Sequence, residues 1–228
     1  LYAGDEYDPT VITAGLGEEF HLHKISFKNY PSCGGTIAST DAILALMERH
    51  GLAPEDIARI DVKVTPYIYD MTGGLFEIGD NPRVDAQFSI RYCVANALLR
   101  GGSVLRHFDE DEVRDARILE LVSKVDVAPD PGVEGPQQGS RLRADKEVTT
   151  TTGDVHHMSI PIPSGFPGNP MSAERIAERF REAAGYGGKP VSAGNLETII
   201  SLVDRLERED DVRALIPLLR ADADRKGG

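Results

Sequence analysis

Apolar residues recur at helical spacing between Ile37 and His50, where Ala38, Ala42, Ala45 and Leu46 share one stripe and Ile43 and Met47 an adjoining row. Gly51 follows where a C-terminal glycine stops a helix. From Ile60 to Val64 the pattern changes to strict alternation, the period of a half-buried strand, and Pro66 with Gly73-Gly74 predicts a long loop after it. Between Asp85 and Leu99 the helical period returns, with Phe88, Tyr92, Ala95 and Leu99 on a deeply buried stripe, Asp85 as N-cap and Gly101-Gly102 as the stop.

Beyond that point the elements shorten. The spacing predicts helices over 109–116 and 116–122, a strand over 124–127, and a loose surface loop through "APDPGVEGPQQGS". Strands over 141–149 and 155–162 form a hairpin through Thr152-Gly153-Asp154, followed by a helix capped by Ser172 and helices over 195–206 and 211–219. No repeat of solenoid period and no sustained heptad is present. The fold class is α+β, with a helical C-terminal part.

The 228 residues, 40% of them hydrophobic, are ordinary for a globular chain and suffice for one large domain or two small ones. With 25 basic against 37 acidic residues the formal charge is -12, which disfavours a role in gripping nucleic acid or anionic membranes. An anionic substrate would have to be met by a few local cations. Two cysteines, Cys33 and Cys93, no apolar run of membrane-spanning length and no signal-like segment point to the reducing cytoplasm, with Cys93 a small buried hydrophobe. The chain opens on Leu1, and "LYAGDEYDPTVITAGLGEEF" has no strong period, so it reads as a connection within something longer.

Candidate chemistry concentrates in "FKNYPSCGG", residues 27–35, which sets a lysine, a tyrosine and a cysteine before a helix. An ammonium beside a helix start can hold a carboxylate or, if desolvated, serve in proton transfer; composition alone favours a solvated surface lysine for Lys28. Tyr30 and Tyr69 could donate a phenolic proton, although most tyrosines bury the ring and wet the hydroxyl. His156-His157 would point to opposite faces of a strand, and His21 and His23 lack partners at a metal-like spacing. Neither a P-loop, a dinucleotide fingerprint nor a G-x-S-x-G elbow is present.

Taken in order, "LGEEFHLHKISFKNYPSCGGT", "DAILALMERHGLAPEDIARIDVKV", "AQFSIRYCVANALLRG" and "FPGNPMSAERIAERF" resemble the C-terminal half of the MmgE/PrpD family. That family includes dehydratases, decarboxylases and epimerases of small di- and tricarboxylic acids such as methylcitrate, cis-aconitate and iminodisuccinate. The resemblance implies a connecting segment over 1–25, an α+β lid domain over 26–170 and a C-terminal helical segment over 171–228 that packs on an all-helical domain absent from this chain. It implies Lys28 and Tyr69 as catalytic groups, Ser32, Cys33 and Gly34 as substrate-binding positions whose small side chains admit an anion to backbone amides, and neither metal nor organic cofactor.

The implied partners are a small anionic carboxylic acid and a helical N-terminal half, either a separate chain or a missing segment, in a homodimer or heteromer without nucleic acid or membrane. Without that half the chain is expected to be inactive. One departure stands out: many relatives carry a histidine soon after the "YPSC" turn, where Thr36 is followed here by Ile37. A non-catalytic binding or scaffold subunit that keeps the fold is therefore the competing expectation.

Overall fold

The computed structural model describes residues 8–133, 141–188 and 191–220. Four strands, β1 (Ile57–Val64), β2 (Val125–Pro129), β3 (Ala144–Thr150) and β4 (Val155–Ile160), form one sheet in the order β2-β1-β3-β4. β2 runs parallel to β1, whereas β1–β3 and β3–β4 are antiparallel. A parallel pair needs a crossover, and here the helices between β1 and β2 supply it. The 3–4 hairpin turns at Gly153, whose φ of 93° explains the glycine in the expected Thr152-Gly153-Asp154 turn.

Alternation along β1 and β3 sends Ile60, Val62, Val64, Ala144 and Val148 to the inner face, where they are buried. That face is covered by α1 (Gly34–His50), and the core continues into α3 (Ile90–Arg100), which follows α2 (Pro82–Gln87). α1 ends at Gly51 in the left-handed conformation, its N–H bonded to the Met47 carbonyl at 2.8 Å. The two helical periods of the sequence thus supply the helical layer of an α+β fold, the first as one helix and the second as two.

The helix expected over 85–99 is two helices. α2 starts at Asn81, whose side chain accepts from the Val84 N–H, and α3 starts afresh at Ser89, which accepts from the Tyr92 N–H at 3.2 Å. Asp85 lies inside α2 and accepts from the Gly79 N–H at 2.8 Å instead of capping. The break turns Phe88 outward to 48% exposure, while Tyr92 and Ala95 stay buried as expected. A serine that satisfies a free N–H outcompetes continuation of the helix.

The expected loop after β1 is also helical. Thr65 caps a short turn, Pro66–Ile68, which runs on as a π turn, Tyr69–Gly73. Pro66 at the first helical position is favourable, since its missing N–H would have had no partner there.

Further along, α4 (Glu110–Val113) and α5 (Ala116–Ser123) precede β2; α6 (Ala173–Tyr186) is capped by Ser172 as expected. α7 (Ala193–Val203) starts two residues before the expected helix and is capped by Ser192. α8 (Leu215–Leu218) follows a 3-10 turn, Val212–Ala214. The predicted loop "APDPGVEGPQQGS" gives up its first two residues, Ala128 and Pro129, to β2; its residues 134–140 and the side chains of His21 and His23 lie outside the described residues. Among the described residues no helix is long and apolar enough to cross a membrane.

One inward position of β3 breaks the apolar pattern. Lys146 is 3% exposed, and its ammonium nitrogen donates to the Ser39 carbonyl of α1 at 2.8 Å. Burial pushes its pKa well below that of an ordinary lysine. The neighbouring Ser39 hydroxyl is buried without a hydrogen-bond partner among the described residues.

Candidate active site

The loop before α1 is fixed from both sides of Lys28. The Phe27 N–H donates to the Gly165 carbonyl at 2.8 Å. Gly165 has φ +82°, and a Cβ there would stand 1.8 Å from the Phe27 carbonyl oxygen, so only glycine fits. On the other side Asn29 donates to the Ser164 hydroxyl at 2.9 Å and accepts from the Arg175 guanidinium of α6 at 2.7 Å. Lys28 is exposed between these anchors, and its ammonium has no hydrogen bond or ion pair among the described residues.

The next residue turns inward. Tyr30 is 6% exposed, and its hydroxyl donates to the Asp41 carboxylate at 2.8 Å. The same carboxylate accepts from the Ser164 N–H and hydroxyl, each at 2.8 Å. Burial raises the pKa of both groups: for Tyr30 the negative charge of Asp41 adds to it, while for Asp41 the bonds from Ser164 and Tyr30 oppose it. The phenol keeps its proton at neutral pH and serves as a tie. Pro31 and Cys33 are tied in turn to Gln87 at the end of α2, through 2.7 and 2.9 Å bonds.

At the start of α1 the Ser32 and Thr36 hydroxyls lie 2.8 Å apart, and Thr36 donates to the Cys33 carbonyl at 2.9 Å. Cys33 occupies the N-cap without a side-chain bond to the first turn, and its sulfur lies 4.0 Å from that of Met71. Gly34 is half-buried beneath Phe166 and Leu142, while a Cβ at Gly35 would meet Ile68 at 3.0 Å. The small residues thus let the π turn and the 163–169 loop close over the helix start.

Tyr69 opens that π turn, partly buried with its ring packed against Gly73, where a Cβ would stand 2.5 Å from the ring. Its hydroxyl has no partner among the described residues. The structure therefore gathers Ser32, Cys33 and Gly34 with the Tyr69 turn at one end of α1, and holds Lys28 on the anchored loop leading into it. No hydrogen bond joins Lys28 to Tyr69. Ile37 is fully buried, so no polar group of that position reaches this end of the helix.

Cys93 is 1% exposed, donates to the Ala86 carbonyl at 3.5 Å, and has its pKa pushed up to about 12 by burial, the inert behaviour expected of it. His156 stacks on His50 with ring centroids 4.0 Å apart, whereas His157 faces Glu147 across the other side of the sheet. Among the described residues no group of three or more His, Cys, Asp or Glu side chains is placed to hold a metal ion. Asp41, Ser164 and Arg175 were not foreseen: they lie far apart in sequence and match no short motif, so only the fold reveals their connection.

These features define an α+β domain that presents a lysine on a braced loop at the start of a core helix. The chain belongs to the MmgE/PrpD family, whose C-terminal domain model matches residues 30–205. It is similar to the cis-aconitate decarboxylase of Aspergillus terreus, at 26% identity over 224 residues, covering 93% of this chain and 44% of that protein. It is equally similar to the cis-aconitate decarboxylase of Homo sapiens, at 26% identity over 221 residues, 94% of this chain and 44% of that protein. The chain thus spans less than half the length of these two relatives.

Proposed function

We propose that this chain supplies one side of a lyase-type active site for a small di- or tricarboxylic acid. The observation that carries the proposal is Lys28, a cation without a partner among the described residues, held between two hydrogen-bonded neighbours in a chain of net charge -12. An ammonium so placed binds a substrate carboxylate and stabilises the negative charge that develops when a proton or carbon dioxide leaves the adjacent carbon. Tyr69 is the proton donor or hydrogen-bond partner of that charge. Dehydration, decarboxylation and epimerisation share this first demand, and similarity to two cis-aconitate decarboxylases favours the second.

The remaining groups come from a helical companion, as a further part of the same protein or as another subunit, in a dimeric or mixed assembly of the cytoplasm. Exposed apolar residues of the C-terminal helices, including Val203, Leu206, Val212, Ile216 and Leu219, offer the surface for it. A second reading, a scaffold subunit without catalysis, is favoured by one observation: Ile37, fully buried, stands where the family resemblance leads one to expect a histidine in many members.

Substituting Lys28→Ala in the assembled protein separates the two. Turnover of cis-aconitate or a related acid falls by about 100-fold or more if Lys28 stabilises the developing charge. Unchanged turnover removes Lys28 from catalysis, and absence of turnover in every wild-type assembly favours the scaffold.

A further inference from the structure

A cavity of about 430 Å³ opens on the side of the braced loop that Asn29 and Tyr30 face, between Leu44 of α1, the turn after α3, and α6. Its wall carries three guanidinium groups, Arg100, Arg106 and Arg175, against one carboxylate, Glu182. Such a concentration of positive charge stands out in a chain with 12 more acidic than basic residues by formal charge.

The charges are not equally committed. Arg100 pairs with Glu112 and donates to Asn96 at 2.8 Å. Arg175 is divided between Asn29, Glu178 at 3.0 Å and Glu182 at 3.4 Å, and Glu182 is also matched by Arg179 at 2.5 Å. Arg106 is exposed, and its guanidinium has no partner among the described residues, which leaves a planar fork of donors at the cavity wall. The field there is positive: after burial, Arg100 and Arg106 are the main causes that lower the pKa of His107 to about 4. A Cβ added at Gly101 or Gly102 on the same wall would meet nothing within 4 Å, so the space before this backbone is open.

We propose that this cavity is an anion site separate from Lys28, taking a small carboxylate or phosphate, with Arg106 as its chief ligand. A guanidinium fork matches two oxygens of either group, which a point-like ammonium does not. Arg175 links the site to the loop, since it holds Asn29 next to Lys28. Binding at Arg106 does not depend on the reaction proposed for Lys28; only its influence on that reaction does.

Calorimetric titration of the purified full protein at low ionic strength, with inorganic phosphate, malonate and neutral malonamide, tests the site. Saturable binding of phosphate or malonate is expected, without binding of malonamide, and the tighter of the two anions identifies the source. Arg106→Gln weakens it by about tenfold or more, as loss of charged hydrogen bonds implies, in a Lys28→Ala background as in wild type, so that malonate held by Lys28 is not counted. Thermal melting verifies that Arg106→Gln remains folded, and Arg106→Lys, which keeps the charge but not the fork, gives intermediate affinity. Absence of saturable binding, equal binding to wild type and Arg106→Gln, or loss on Lys28→Ala alone would overturn the proposal. A loss of turnover in Lys28→Ala with anion binding intact leaves both assignments standing, which keeps their failures distinguishable.

Discussion

The Tyr30 hydroxyl and the Asp41 carboxylate meet at 2.8 Å, so a residue two places after Lys28 is tied to the second turn of α1. Because Ser164 donates twice to the same carboxylate, removing Asp41 strands three donors, whereas removing the Tyr30 hydroxyl strands none. Asp41→Ala should therefore cost about 2–4 kcal/mol and Tyr30→Phe about 1 kcal/mol. Urea unfolding of both and of the double variant checks this; strict additivity would show that the pair is not coupled.

Gly165→Ala should loosen the lysine loop more than its size suggests. The added methyl would lie 1.8 Å from the Phe27 carbonyl oxygen at a φ of +82°. The expected result is a loss of about 2 kcal/mol or more, with faster amide exchange at Phe27, whose N–H bonds to Gly165. Exchange at Phe27 equal to wild type would disprove the anchor.

Lys146→Met should stabilise the protein at neutral pH. The folded state holds this amine with a depressed pKa because burial disfavours its charged form, so the unfolded chain binds the proton more readily up to its ordinary lysine value. Wild-type stability accordingly rises with pH towards about 10.4, and the advantage of methionine, roughly 1–4 kcal/mol at pH 7, shrinks over the same range. Melting curves at pH 7 and pH 10 measure it; a methionine variant less stable at both would refute the argument.

His107 follows the same sign at lower pH. Its folded pKa is depressed to about 4 from 6.5, first by burial and then by Arg100 and Arg106. The unfolded state takes up the proton first on acidification, so this contribution is complete above pH 6.5 and is lost as the pH falls to about 4. In His107→Gln the slope of stability against pH across that interval should flatten. An unaltered slope would assign the acid sensitivity to other groups.

How much of this was legible in the sequence depended on whether the signal was local. Ala38, Ala42 and Leu46 declared α1, and the alternation of Ile60, Val62 and Val64 declared β1, because apolar period alone sets which face is buried. The same rule ran α2 and α3 together, since it gave no weight to Ser89 as a cap, and it left the Tyr69 turn as loop because Pro66 and the glycines outweighed Thr65. Lys28 was visible as a candidate from its motif. Its bracing by Gly165, Ser164 and Arg175 was not, because hydrogen bonds across more than a hundred residues leave no spacing to read.

That distance also orders events in time. Asn29 finds Ser164 135 residues on and Arg175 146 residues on, so during synthesis the lysine loop can be set only after most of the chain has been made. Contacts of such long range close late, after the local helices and the hairpin have formed. A chain that ends before Ser164 and is clear of the ribosome still has the residues of α1 and of β1 to β4, yet lacks both clamps beside Lys28. The candidate site is thus a late product of folding, and its appearance would report that α6 has docked.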